Sequence, residues 1–306
     1  MAEPSPLRIT DAMAEAGALR QPVLVASFVR RNGFNSTAAA ALSQFAKYHG
    51  ATLVAEMDPD QFYDFSVTPP AVKPDGDQRV IEWPKNEILL VRAPESLRDV
   101  LVLTGMEPNL RWPTFSAVLH GFVQQHAIER LLVLRTWPGA VPHTRPAMLR
   151  LTTTSEQLAS ELGLPSLENN YQGYVDLGGL LSSLHGNAGG MTGGLTAVVP
   201  NYLGVVPNPF AMLALTEVLD RLAGSETPLD DVRETADELR GRADEEMTNS
   251  EEFRDAIQEM ERNYENMASD FTGAGASATA ATEESDELPS SDDILRDVER
   301  FLRQED

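Results

Sequence analysis

Three runs of branched apolar residues limit the folds open to this chain. PVLVASF (Pro22 to Phe28), VLVLT (Val100 to Thr104) and LLVLRT (Leu131 to Thr136) show almost no polar alternation, the pattern of strands buried on both faces. Between and after them lie segments of helical composition: Ser36 to Tyr48, Thr114 to His126, Ser155 to Leu162, Leu177 to His185 and Pro209 to Leu222. Further strand patterns fall at Ala51 to Met57 and Leu195 to Val199. This alternation predicts an α/β fold, a mostly parallel sheet with helices on both faces. Arg79 to Trp83 and Glu87 to Ala93, separated by Pro84-Lys85-Asn86, read as a hairpin.

In open α/β sheets ligands gather where loops leave the carboxyl ends of strands. Two such loops are crowded with polar groups. The first follows Val100 to Thr104 and holds Glu107, Asn109 and Arg111; the second follows Leu131 to Thr136 and holds His143, Thr144 and Arg145. An arginine there can clamp a carboxylate or phosphate through two parallel hydrogen bonds, and a loop histidine can act as an acid or base near neutral pH. The same residues also suit architecture, with Glu107 paired to Arg111 and His143 bonded to backbone. Both readings stand at this point.

Other chemistry finds little footing. The chain has no cysteine, which excludes disulfides, thiolate nucleophiles and Cys-ligated metals. His49, His120, His126 and His185 lack metal-ligand spacing, and no serine sits in a GxSxG elbow. GNAGGMTGG (Gly186 to Gly194) lacks the Gly-Lys-Ser/Thr ending of a phosphate loop and reads as a flexible connection. No catalytic residue, cofactor or metal is therefore assigned.

Charge is uneven along the chain. Residues 1–225 carry 21 acids and 16 bases, net −5, whereas residues 226–306 carry 26 acids and 8 bases, net −18. That balance argues against a nucleic-acid partner. No apolar run is long enough for a membrane span and no secretory leader is read at the start, so a cytoplasmic location without membrane contact is expected.

Four regions follow. Residues 1–225 form the α/β core and residues 226–269 an acidic helical hairpin, its first helix capped by Thr227 ahead of Pro228 and its second by a Thr248/Glu251 capping box. Phe253, Ile257, Met260, Tyr264 and Met267 give that second helix an apolar face. Residues 270–288 read as a flexible linker, and residues 289–306 as a terminal amphipathic helix whose Ile294, Leu295, Val298, Phe301 and Leu302 share one face and are candidates for binding a partner.

Scattered motifs carry a resemblance. FYDF (Phe62 to Phe65), IEWP (Ile81 to Pro84), GMEPNLRW (Gly105 to Trp112), VPHTRP (Val141 to Pro146), YQG (Tyr171 to Gly173) and VPNYLGVVPNP (Val199 to Pro209) occur in the order seen in the PAC2 family, proteins similar to proteasome assembly chaperones, and especially in its actinobacterial branch. The resemblance implies a three-layer α/β/α sandwich similar to nucleoside phosphorylases. It also implies a non-catalytic, homo-oligomeric protein, with a trimer as one candidate, that binds or assembles other proteins. The alternative is a small-molecule protein, binding a nucleoside-like or phosphorylated ligand or acting as a hydrolase or phosphorylase near Arg111, His143 and Arg145.

Two departures qualify the resemblance. Arg31-Asn32-Gly33-Phe34-Asn35 stands where this branch commonly has a Gly-Trp-Asn-Asp-like loop. Gln304-Glu305-Asp306 stands where ring-docking members carry a hydrophobic-Tyr-any tripeptide, so docking by that device is not expected.

Overall fold

A computed structural model describes residues 5–33, 35–76, 78–93, 96–167 and 171–272. The chain divides into two compact units, residues 1–267 and 268–306. The candidate partner-binding residues Ile294, Leu295, Val298, Phe301 and Leu302 lie outside the described residues. Among the described residues no helix is long and apolar enough to cross a membrane.

The elements run β1 (Leu7–Ile9), α1 (Asp11–Ala16), β2 (Val23–Val29), α2 (Ser36–Tyr48), β3 (Thr52–Met57), β4 (Ala71–Asp75), β5 (Gln78–Glu82), β6 (Asn86–Val91), β7 (Val100–Met106), α3 (Trp112–Gln125), β8 (Arg130–Gly139), β9 (Met148–Thr153), α4 (Glu156–Leu162), β10 (Ser166–Leu167), α5 (Leu177–Asn187), β11 (Met191–Pro200), α6 (Pro209–Ala223), α7 (Asp230–Asn249) and α8 (Glu251–Thr272). Nine strands form one sheet in the order β1-β3-β6-β7-β2-β8-β11-β9-β10. It is parallel through β7, β2, β8 and β11, and antiparallel pairings flank that block on both sides.

The unbroken apolar runs are explained by burial on both faces. Leu24, Ala26 and Phe28 of β2 join Leu101 and Leu103 of β7 under Phe115 and Leu119 of α3 and Leu177 and Leu181 of α5. Their neighbours Val23, Val25, Val100 and Val102 point the other way, into Leu42 and Phe45 of α2, Leu158 of α4 and Leu215 and Leu219 of α6. Three layers result, and α7 packs outside α6 through Ala236 and Leu239 against Phe210.

Several expectations need correction. The strand Gln78–Glu82 does not pair with the strand that follows it. β5 instead pairs antiparallel with β4 as a separate two-stranded sheet, Val72 opposite Ile81, while β6 is held between β3 and β7. Gly105 explains the tight fit of β7 to β6, since a Cβ there would stand 2.1 Å from the Lys85 carbonyl.

The glycine-rich stretch is not a flexible connection. Its first half ends α5 and its second half begins β11, where a Cβ on Gly193 would stand 2.9 Å from Leu158 and 3.1 Å from Leu132. Bare backbone lets α4 lie close on the strand. The helix caps differ too. Leu229 precedes α7, while Thr227 is tied to α6 through the Asp220 carboxylate at 2.8 Å. Ser250, not Thr248, accepts the Phe253 N–H at the start of α8, at 3.2 Å, and the Thr248 hydroxyl donates to the Asp244 carbonyl within α7. Helix α8 extends to Thr272, past the expected linker start at residue 270.

Candidate functional site

The parallel block opens at its carboxyl end, where β2 sends the chain to α2 on one face and the adjacent β7 sends it to α3 on the other. Such a switch point makes a crevice. Asn35 occupies it. The pairing of β2 with β8 stops at Ala26 opposite Val133, and beyond that the Asn35 amide bridges the diverging strands. Its Nδ2 donates to the Phe28 carbonyl and its Oδ1 accepts from Thr136 N–H, both at 3.1 Å. Asn35 adopts φ 66°, left-handed backbone that asparagine tolerates better than most residues.

Glu107 lies at the end of β7 and is held from two sides. One carboxylate oxygen accepts the Leu177 N–H at 2.9 Å and the other pairs with Arg30 Nε at 2.7 Å. Beside it Asp176 caps α5, accepting the Gly179 N–H at 2.7 Å, and takes two further hydrogen bonds from the Arg135 guanidinium, each 2.7 Å. Burial works to raise the Asp176 pKa, but the Arg135 bonds and charge, the Gly179 N–H and nearby Arg30 hold it below the usual carboxylate range. Asn109 fixes a neighbouring loop, its oxygen accepting from Asp64 N–H at 3.2 Å and the Thr68 hydroxyl at 3.0 Å. Arg111 precedes α3 with φ 55° and donates to Gln61 at 2.9 Å.

The second loop has different neighbours. The His143 side chain is fully buried; its backbone N–H and its Nδ1 both meet the Tyr202 hydroxyl at 2.7 Å, and its Nε2 lies 3.3 Å from Asp244 of α7. Thr144 donates to Glu261 of α8, Arg145 stands 4.0 Å from the same carboxylate, and the Pro146 carbonyl accepts the Tyr264 hydroxyl at 3.1 Å. Tyr202 also packs edge-on against Phe253, ring centroids 5.5 Å apart. Burial, offset in part by the His143 N–H, pushes the Tyr202 hydroxyl up to about 12. This loop is the seat of α7 and α8.

The six candidate residues thus fall into three groups with separate partners, of which Asn109 and Arg111 hold the loop at residues 61–68. Glu107 joins Arg30, Asp176 and Arg135 in an ion network, whereas His143, Thr144 and Arg145 face the helical hairpin. Arg30, Asp176 and Arg135 are absent from the sequence-derived set. Asp176 ahead of LGGLL has the form of a helix cap and Arg135 interrupts an apolar strand, and these were the available signals. Among the described residues no three His, Asp or Glu side chains are grouped to hold a metal ion. What the site presents outward is aromatic: Trp137, Tyr171 and Tyr174 are 58%, 62% and 99% exposed.

A family model described as PAC2 family matches residues 32–247. Among solved structures, a PAC2 family protein from Streptomyces avermitilis is 32% identical, with TM-score 0.65 over 73% of this chain and 95% of that one. A Mycobacterium tuberculosis proteasome-assembly chaperone homologue is 28% identical, with TM-score 0.66 over 77% and 99% of the two chains. An archaeal proteasome activator from Pyrococcus furiosus, 17% identical with TM-score 0.60 over 79% and 98%, shares the fold. No curated protein matches the chain. Motifs, topology and both comparisons agree, and the chain belongs to the PAC2 family.

Proposed function

We propose that this chain is a non-catalytic assembly scaffold of the proteasome-assembly-chaperone type, which binds other proteins and associates with copies of itself. The observation that carries this reading is the state of the crevice. Its charged groups engage one another in Arg30–Glu107 and Arg135–Asp176 pairs and leave no poised nucleophile or acid/base couple among the described residues. The relative described as a proteasome-assembly chaperone homologue supports the same direction.

Self-association has a candidate surface in the β4–β5 arm. A lone two-stranded sheet is marginal in water, yet this one exposes Val72 by 52% and Ile81 by 59%. Pairing these faces between copies would remove them from water. The terminal segment with Ile294, Leu295, Val298, Phe301 and Leu302 remains the candidate for a further protein partner.

Light scattering on the purified full chain is expected to show an oligomer, a trimer being one candidate, that the double variant Val72→Asp/Ile81→Asp dissociates. Adding the chain to separated proteasome core subunits is expected to change the rate at which assembled particles appear on native gels. A chain that is monomeric at micromolar concentrations and leaves assembly unchanged would overturn the proposal. The alternative of a small-molecule site has less support, because Arg111, His143 and Arg145 are held by different neighbours. Thermal shift against nucleosides and nucleotides is expected to be flat.

A further inference from the structure

Three exposed aromatic residues, Trp137, Tyr171 and Tyr174, lie within five residues of Arg135 or Asp176 in the chain. Arg135 and Trp137 are two apart on β8 and so share a face, the face on which α5 lies. Arg135 holds Asp176, and the five residues before Asp176 supply Tyr171, Tyr174 and Val175, exposed by 62%, 99% and 50%. On the other side of Asp176 stands Arg30, which reaches Glu107. Arg31 follows it, exposed and without a carboxylate partner among the described residues.

The charge at this rim is layered. The carboxylates are the more buried members, with the side chains of Glu107 and Asp176 only 11% and 19% exposed, whereas the Arg30 side chain is 44% exposed and Arg31 is exposed as well. Solvent therefore meets guanidinium and aromatic rings, on a molecule whose formal charge is −23. Tyr, Trp and Arg are the residues that concentrate binding energy at protein interfaces, because each offers a large rigid surface with a polar end. A field that is locally positive on an acidic molecule selects the sign of what docks there.

We infer that this rim, centred on Tyr174, Trp137 and Arg31, is a docking surface for an acidic polypeptide segment of a partner protein that carries aromatic side chains. Carboxylates of the segment pair with Arg31 and Arg30, and its rings lie on Tyr174 and Trp137. The inference rests on the protein-binding reading and adds to it the place and the chemistry of the partner.

The test uses the full chain and three labelled polymers: random Glu/Tyr copolymer, poly-Glu and random Lys/Tyr copolymer, followed by fluorescence anisotropy. The Glu/Tyr copolymer is expected to bind, poly-Glu to bind more weakly, and the Lys/Tyr copolymer to bind least. Arg31→Glu and Tyr174→Ser, both at exposed positions, are each expected to weaken Glu/Tyr binding about thirtyfold, the size of an interface hot spot. Arg8→Glu, on the edge strand β1, is the control and is expected to change nothing. Binding that survives both rim variants, that falls equally with Arg8→Glu, or that is as tight for poly-Glu or for Lys/Tyr overturns the inference. Light scattering and the assembly assay on the same variants keep the outcomes separate. A rim that fails while self-association and the assembly effect persist removes this inference and leaves the scaffold reading in place.

Discussion

Asp99 shows how much of the fold depends on single polar side chains. Its carboxylate is fully buried and accepts Arg20 N–H at 2.8 Å, Arg20 Nε at 2.9 Å and Arg92 Nη2 at 2.6 Å, so it joins the start of β7 to the loop before β2. Removing one member of a buried ion pair leaves the rest uncompensated, which costs ~3–5 kcal/mol when the site is sealed. Arg20 and Arg92 retain contact with water, so Asp99→Asn is expected to cost about 2 kcal/mol, read from urea unfolding. Loss below a few tenths would mean the guanidiniums rehydrate freely. Asn35 is a sharper case, because its two roles separate by substitution. Asn35→Gly keeps the left-handed backbone and loses the bridge, which leaves the Phe28 carbonyl and Thr136 N–H unsatisfied and costs ~1–3 kcal/mol. Asn35→Ala loses both and is expected to fall a further ~1 kcal/mol. Equal unfolding midpoints for the two variants would remove the backbone contribution. The sequence shows the polar loops around Glu107 and His143 but not their partners. Arg30 is 77 residues from Glu107 and Asp244 is 101 from His143, and only the strand order brings them together.

The elements legible in the sequence are those whose apolar pattern matches their burial. α2 spans Ser36–Tyr48 as its composition predicts, and β2, β7 and β8 appear where the unbroken runs lie. The misread elements carry mixed signals. β4 contains Pro74 between Lys73 and Asp75 and is exposed throughout, so nothing in it reads as a strand, and without it β5 seems to belong to β6. β9 is obscured by Arg150 and follows directly on the proline-rich loop. The helical hairpin was legible as helices suited to pack on the core, but the place where they dock was not, because the seat is supplied by Tyr202 and the loop at 141–146. That seat gives an element-level prediction. Tyr202→Phe removes the hydroxyl shared by His143 N–H and Nδ1 while keeping the ring against Phe253. Hydrogen exchange in residues 251–264 is then expected to quicken by roughly tenfold or more, the effect of ~1–3 kcal/mol of lost satisfaction, while the central strands stay protected. Uniform quickening across sheet and hairpin would show that the loop is not a separate seat.

For the whole molecule, acid acts through two sets of groups that separate by pH. His120 and His126 are held below the ordinary imidazole value of 6.5 by burial, His120 also by the charge of neighbouring His185, whose ring centroid is 6.0 Å away. The folded state thus prefers them neutral, and the stability they contribute is full above pH 6.5 and is lost as pH falls through their lowered values. Asp99, Asp176 and Glu161 are lowered despite burial by their arginine partners, Glu161 to about 2 through Arg98 and Arg130 with help from Gln157. Their contribution is full above the ordinary values of 3.8 and 4.5 and is lost only below them. Relief of self-repulsion works against both losses, but between pH 7.5 and 5.5 it is small. Protonating all five histidines cancels five of the 23 negative charges, and the exposed carboxylates stay ionised. The urea midpoint is therefore expected to fall on acidification from pH 7.5 to 5.5, with a second fall below about pH 4.5. His120→Gln, which cannot take up a proton there, is expected to shrink the first fall and leave the second unchanged. A midpoint that rises between pH 7.5 and 5.5 in the unaltered protein would show that charge relief outweighs the buried imidazoles.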